Sequence, residues 1–232
     1  MSYSPIDPST WSPLAASSFV VGLDVGMHAD HSAFVLAGVW PQASDAIGVV
    51  DIKQFQLGTP LEFVADQVAT VARDNRAMVV VDATNNSAFA GVLAARLPQP
   101  AVNWLVAAAI TSALSHAAQP TPMPIAIGGL KSAVRRWTLS KSELVETIAA
   151  ELGNNSLRIT RIGDWEVLQQ ELSAVERNVR ASGSAFYSAP PGKHDDLVMA
   201  LALCAFGCRR LGRQAARRLR PARPRISSAA WT

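Results

Sequence analysis

Phe19–Val25 (FVVGLDV) is apolar apart from Gly22 and Asp24. A run without alternation suits a strand buried on both faces, and the acid near its end marks where the strand meets solvent. Gly26 follows as a turn. Ser32–Trp40 and Ala46–Phe55 read as two further strands joined across Pro41–Asp45, which predicts a three-strand antiparallel meander. Pro60 opens a helix to about Asp74, with Leu61, Val64, Val68 and Val71 at helical spacing. Ala77–Val81 (AMVVV) is a second fully apolar strand, followed at once by Asp82. Ser87–Leu97 reads as a short helix closed by Pro98, and Val102–Ile110 as a fifth strand.

Residues 115–139 carry three prolines and the Gly128–Gly129 pair, which predict an irregular connection. Beyond it the pattern is helical. Ser140–Leu152 begins with a capping box, Ser140 with Glu143 three residues on. Trp165–Arg180 is amphipathic. Asp195–Arg209 has an apolar face at Leu197, Ala200, Leu201, Cys204 and Cys208. The order predicts an α/β fold with a mixed five-stranded sheet, an antiparallel meander plus parallel strands, flanked by helices. The first and fourth strands, apolar on both faces, belong at its centre as neighbours. Residues 1–18, with Pro5, Pro8 and Pro13, read as a flexible lead-in. The ordered domain is expected over 19–208, and 209–232 is a basic tail.

Charge alters this picture at one end. The chain of 232 residues is 49% hydrophobic, enough for a full core, and its net charge is +3. Eight arginines fall between Arg209 and Arg225. Setting them aside leaves 13 basic residues against 18 acidic ones, a net of −5 for the rest. The basic tail is a footprint of nucleic-acid contact, whereas the acidic body suits a site that holds cations. Cys204 and Cys208 lie four apart on a helix with no CxxC pattern, so they read as core thiols of a reducing, cytoplasmic protein. No basic segment followed by an apolar run opens the chain. The longest apolar stretch, Trp104–Leu114, is interrupted by Thr111 and Ser112, so no membrane span is expected.

The candidate chemistry is acidic. Asp24 ends one buried strand, Asp82 ends another, and Asp195 and Asp196 begin the last helix. Adjacent parallel strands bring their carboxyl ends together, where sites of open α/β sheets gather. Carboxylates that close repel one another unless a cation balances them, and an all-oxygen donor set selects Mg²⁺ or Mn²⁺ over zinc. Two such ions can clamp one phosphodiester, activating water on one side and stabilising the leaving oxygen on the other. Asp24, on the most central strand, is the expected shared ligand. Asp82 and one of Asp195 or Asp196 complete the set. Taken singly, each acid also fits a turn or helix cap.

These residues lie in recognisable motifs: VVGLDVG with Asp30 six residues after Asp24, VVVDATNNS, LSKSELVETIAAEL, QQELSAV and FYSAPPGKHDDLVMALALC. In them the chain resembles the C-terminal nuclease domain of the phage terminase large subunit, over about residues 19–206. The resemblance implies an RNase H-like fold and a DNA endonuclease with two divalent ions held by Asp24, Asp82 and Asp195 or Asp196. It implies a place for His194 near the scissile phosphate, and phosphate contacts for Lys141 and Lys193. It implies a structural or supporting role for Glu171, while Asp30 reads as a turn residue. Arg135, Arg136 and Trp137 read as core-edge packing or DNA contacts. No GxxxxGK[ST] loop is present: Tyr187 stands five residues before Gly192–Lys193 where a glycine is needed. The expected partners are therefore double-stranded DNA and a separate ATPase motor subunit, a small terminase subunit or a portal protein. Three other readings compete. One is a resolvase or transposase-type nuclease of the same superfold. Another is a catalytically silent DNA-binding or motor-docking module. The last is a sugar-kinase-like ATPase, which would use Asp24–Gly26 for phosphate but leaves His194–Asp196 unexplained.

Overall fold

The computed structural model describes residues 16, 18–26, 30–40, 46–112, 120–127, 130–179 and 185–210. Of the lead-in only Ala16 and Ser18 are among them, Ser18 as the first residue of the opening strand; the Pro41–Asp45 connection and the tail beyond Arg210 lie outside them.

Three strands follow the expected meander: β1 (Ser18–Asp24), β2 (Ala33–Trp40) and β3 (Ala46–Gln54), paired antiparallel in that order. Helix α1 (Leu61–Asp74) leads to β4 (Met78–Asp82), which lies parallel to β1 with Gly22 opposite Val80. The two all-apolar strands are thus central neighbours, because only the middle of the sheet hides both faces. Helix α2 (Ser87–Ala94) is capped by Asn86, whose side chain accepts from the Phe89 amide. It precedes β5 (Leu105–Thr111), parallel to β4.

The sheet is larger than the five strands predicted. Residues 121–140 form β6 (Thr121–Ile127) and β7 (Leu130–Ser140), an antiparallel pair whose second strand runs parallel to β5. Two of the three prolines that suggested an irregular connection, Pro122 and Pro124, sit on β6, which is the sheet edge. An edge strand has one free side where a missing N–H costs nothing. Pro122 and Pro124 face solvent there, alternating with buried Met123 and Ile125. After α3 (Lys141–Gly153), the three-residue β8 (Leu157–Ile159) pairs parallel with β3 and closes the other edge. The order is β6-β7-β5-β4-β1-β2-β3-β8. The helix expected over 165–180 ends early. Helix α4 spans Trp165–Ala174, and the chain then enters a separate hairpin of β9 (Glu176–Val179) and β10 (Ala185–Ser188). Pairing with the aromatic strand outweighs the local helical pattern, a tertiary override of propensity.

Helix α5 (Asp196–Arg210) is buried along nearly its whole length. With α3 and α4 it covers one sheet face, packing on Val20, Val35, Val80 and Val106. Helices α1 and α2 cover the other, against Val21, Leu23, Val79 and Val81. The strand period of two therefore puts Val20, Gly22 and Asp24 under α5, and Met78, Val80 and Asp82 beside them. Gly22 makes the contact close. A Cβ there would lie 2.1 Å from the Ala200 carbonyl oxygen and 2.4 Å from the Cys204 amide nitrogen. The Cys204 thiol donates to the Val20 carbonyl at 3.2 Å, so both cysteines are core thiols as expected. Helix backbone rests on strand backbone, and the start of α5 comes down beside the end of β1.

Candidate metal centre

Four parallel strands, β1, β4, β5 and β7, finish at the same edge of the sheet. They present Asp24, Asp82, Ile110 and, one residue past β7, Lys141 to a cleft of about 290 Å³. Its remaining wall comes from the segment before α5, with Lys193, His194, Asp195 and Asp196, and from Asp30 and Asn85. All five residues singled out from sequence, Asp24, Asp82, His194, Asp195 and Asp196, line this one space.

Asp24 is its electrostatic centre. Burial raises its pKa well above the usual carboxylate range, and Asp82, Asp196 and Asp195 push it further, against a smaller pull from Lys141. Burial also raises Asp82, opposed by hydrogen bonds from Thr84 and by Lys141. Thr84 fixes Asp82 in place: its amide donates at 2.8 Å and its hydroxyl at 2.5 Å to Oδ1, while its Oγ1 accepts from the Ile110 amide at 2.7 Å. The loop after β4 is thereby tied to β5.

The two adjacent aspartates do different things. Asp195 precedes α5, and its carbonyl accepts the first helical bond from the Met199 amide. Its Oδ2 accepts from Lys141 Nζ at 2.7 Å. Asp196 is the first residue of the helix and is 6% exposed. Its Oδ2 is buried without a hydrogen-bond partner, with His194 Nδ1 3.7 Å away. Burial pushes Asp196 up to about 6; His194 and the His31 amide lower it, and Asp30 and Asp195 raise it. A buried carboxylate oxygen with no donor is costly unless something else meets it.

Asp30 is not merely a turn residue. One donor atom each from Asp30, His194 and Asp196 lie within 4.8 Å of one another. Gly26 permits this return, since a Cβ there would lie 2.3 Å from the Asp30 carbonyl oxygen. The His194 ring meets His31 edge-to-face at 5.3 Å, and His31 Nδ1 is 2.8 Å from the Phe55 carbonyl. Asn85 also lines the cleft; its only signal in sequence was its place three residues after Asp82. Trp137, by contrast, is buried in the core and Lys141 is engaged with Asp195.

The donor set, carboxylates with one imidazole, and the orphaned Asp196 oxygen fit a hard divalent cation.

The mixed sheet, with its antiparallel meander, parallel strands and acids at the carboxyl edge of β1 and β4, is an RNase H-like fold. No family model matches the chain, and no curated protein matches it in sequence. Among solved structures it is similar to the large terminase nuclease from thermophilic phage G20c, with a TM-score of 0.56 and 18% identity over 82% of this chain and 81% of that one. The same nuclease with bound magnesium matches at a TM-score of 0.52 and 19% identity, covering 81% and 79%. The human cytomegalovirus terminase nuclease domain matches at a TM-score of 0.55 and 13% identity, covering 86% and 87%. At these identities the likeness is one of fold.

Proposed function

We propose that this protein is a metal-dependent endonuclease that cuts double-stranded DNA, with Asp24, Asp82 and Asp196 as ligands of Mg²⁺ or Mn²⁺. The observation that carries the proposal is the convergence of carboxylates from β1, β4 and α5, half-buried at Asp24 and Asp82 and buried at Asp196, on one cleft, with an Asp196 oxygen left without a donor. Such a cluster is electrostatically unfavourable alone and becomes favourable around a cation. Solved neighbours with the same fold support it: the phage nuclease was determined with bound magnesium and the cytomegalovirus domain after a manganese soak.

Bound at the cleft, two divalent ions would polarise a phosphodiester and make water a nucleophile near neutral pH. The protein's own residues do the rest. Asp24, on the central strand, and Asp82, held by Thr84, would be ligands of the metal. Asp195 serves mainly as the partner of Lys141, whose ammonium offsets part of the acidic charge. His194, at the rim with Asp30, orients groups near the scissile phosphate. Lys193 also lines the cleft and is placed to meet a DNA phosphate, a contact that positions the duplex without reading its sequence.

Plasmid DNA is the direct test. Nicking with Mn²⁺ or Mg²⁺, none with EDTA and none by Asp24→Ala supports the proposal; metal-independent cutting, or cutting by the mutant, removes it. Comparing a linear duplex with a four-way junction separates a terminase-like substrate from a resolvase-like one. A separate ATPase subunit, a small terminase subunit or a portal protein are the partners this reading proposes. No helix among the described residues is long and apolar enough to cross a membrane.

A further inference from the structure

We infer that Glu171 is a positioning residue: it caps α5 in place of the helix's own aspartates, and so frees them to face the cleft. This deepens the metal-binding proposal above and rests on it.

The amides at the start of a helix need acceptors, and an aspartate at the N-cap normally supplies one from its own side chain. Asp195 occupies that position. Its carboxylate instead reaches Lys141, and the described hydrogen bonds of the first turn go elsewhere. Leu197 and Val198, the second and third residues of α5, donate at 2.8 and 3.1 Å to Oε2 of Glu171. Glu171 lies on α4, 26 residues earlier in sequence, and is 6% exposed. Its other oxygen accepts from Gln54 Nε2 at 3.2 Å, and the Gln54 amide donates to Asp164 Oδ2 at 2.6 Å. The cap is therefore anchored to the end of β3 and the start of α4. It is a carboxylate buried close to those of Asp195 and Asp196, where a local N-cap would be the ordinary arrangement.

Without Glu171, Asp195 at the N-cap position would be the acceptor such amides ordinarily use. Its carboxylate would turn back onto the helix, leave Lys141, and shift Asp196. Loss of a supporting hydrogen bond around a metal site typically lowers affinity about 10–100-fold.

The test is Mn²⁺ affinity of the full chain, measured by the paramagnetic resonance of free Mn²⁺, for wild type, Glu171→Gln, Glu171→Ala and Leu168→Ala. Leu168, fully buried on the same helix, is a control for lost packing. The inference expects affinity to fall about tenfold or more in Glu171→Ala. It expects near wild-type affinity in Glu171→Gln, whose amide oxygen can still accept, and in Leu168→Ala despite its lower melting temperature. Wild-type affinity in Glu171→Ala, or an equal loss in Leu168→Ala, overturns it. Amide hydrogen exchange at Leu197 and Val198 reads the cap without metal: faster exchange in Glu171→Ala than in Glu171→Gln supports it, and unchanged exchange overturns it. If wild type binds no Mn²⁺, the metal proposal fails while the exchange data still decide the cap. Should Glu171→Ala not fold, Glu171→Met takes its place.

Discussion

The two ends of α5 carry opposite charges, and both suit the helix dipole: acids at the amino end, arginines at the carboxyl end. They differ in what those charges meet. At the carboxyl end, Arg209 donates through Nε at 2.6 Å and through Nη2 to Glu151, and Ser156 donates to the same carboxylate. These bonds hold Glu151 below its usual range in spite of its burial. Arg210 lies 5.6 Å over the Trp137 ring, which Phe206 meets edge-on at 5.7 Å. Every charge described there has a partner. At the amino end, five aspartates share a cleft with two lysines, Lys141 and Lys193, and an Asp196 oxygen has no hydrogen-bond partner. One end has its charges paired and reads as structure, although the Trp137 indole N–H beside it is buried without a partner. The other is frustrated, and an unsatisfied buried carboxylate calls for a reason, which the proposed metal would supply.

Breaking the frustrated end should have the largest consequence. Asp24→Asn is expected to abolish metal-dependent nicking, while raising the melting temperature of the metal-free protein because a buried, repelled charge is gone. Nicking assays and calorimetry in EDTA check both halves; a mutant that still cuts removes Asp24 from the chemistry.

Gly22→Val disturbs the close packing that brings the two elements together. Its Cβ alone would meet the Ala200 carbonyl at 2.1 Å, so α5 must shift. The expected cost is about 1–3 kcal/mol or more, with a loss of Mn²⁺ affinity although no ligand has changed. Unfolding in urea and Mn²⁺ titration measure the two effects.

The same comparison can be sharpened by pH. Asp196 is pushed to about 6 and Glu171 to about 7. For Glu171, burial is the main cause; the Val198 and Leu197 amides oppose it, and Asp196 and Asp195 add to it. Unfolded, these groups release their protons near pH 4. The folded protein therefore holds more protons between about pH 4 and 7, and its stability falls as pH rises through that window. Melting of the metal-free protein should drop from pH 5 to pH 8. Mn²⁺, which binds the ionised carboxylates, should restore most at the upper end. A flat profile without metal would show that the cluster is not strained.

The smallest effect belongs to the paired end. Arg209→Ala removes a partly exposed pair and should cost about 1 kcal/mol or less. It should leave Mn²⁺ affinity unchanged.

Much of this was legible from one dimension. Asp24 and Asp82 stood out because each ends a run apolar on both faces, and that same apolarity placed β1 and β4 together at the sheet centre. The Asp195–Asp196 pair stood out at the head of a buried helix. Other features were hidden for identifiable reasons. The prolines of β6 masked an edge strand, since only the neighbour list of a strand says which of its N–H groups are needed. Three- and four-residue strands such as β8 and β9 carry too few residues for a period. Asp30 looked like a turn former until Gly26 let the chain fold back on itself.

The sequence by itself determined which segments must be buried, and hence where strands end and charges begin, because apolar burial depends on local pattern. Which charges meet depended on the tertiary structure. Strand register brought Asp24 level with Asp82, the missing Cβ of Gly22 let α5 descend onto β1, and a glutamate on α4 accepted the amides of α5. Those contacts join residues far apart in the chain, and no local pattern encodes a distance.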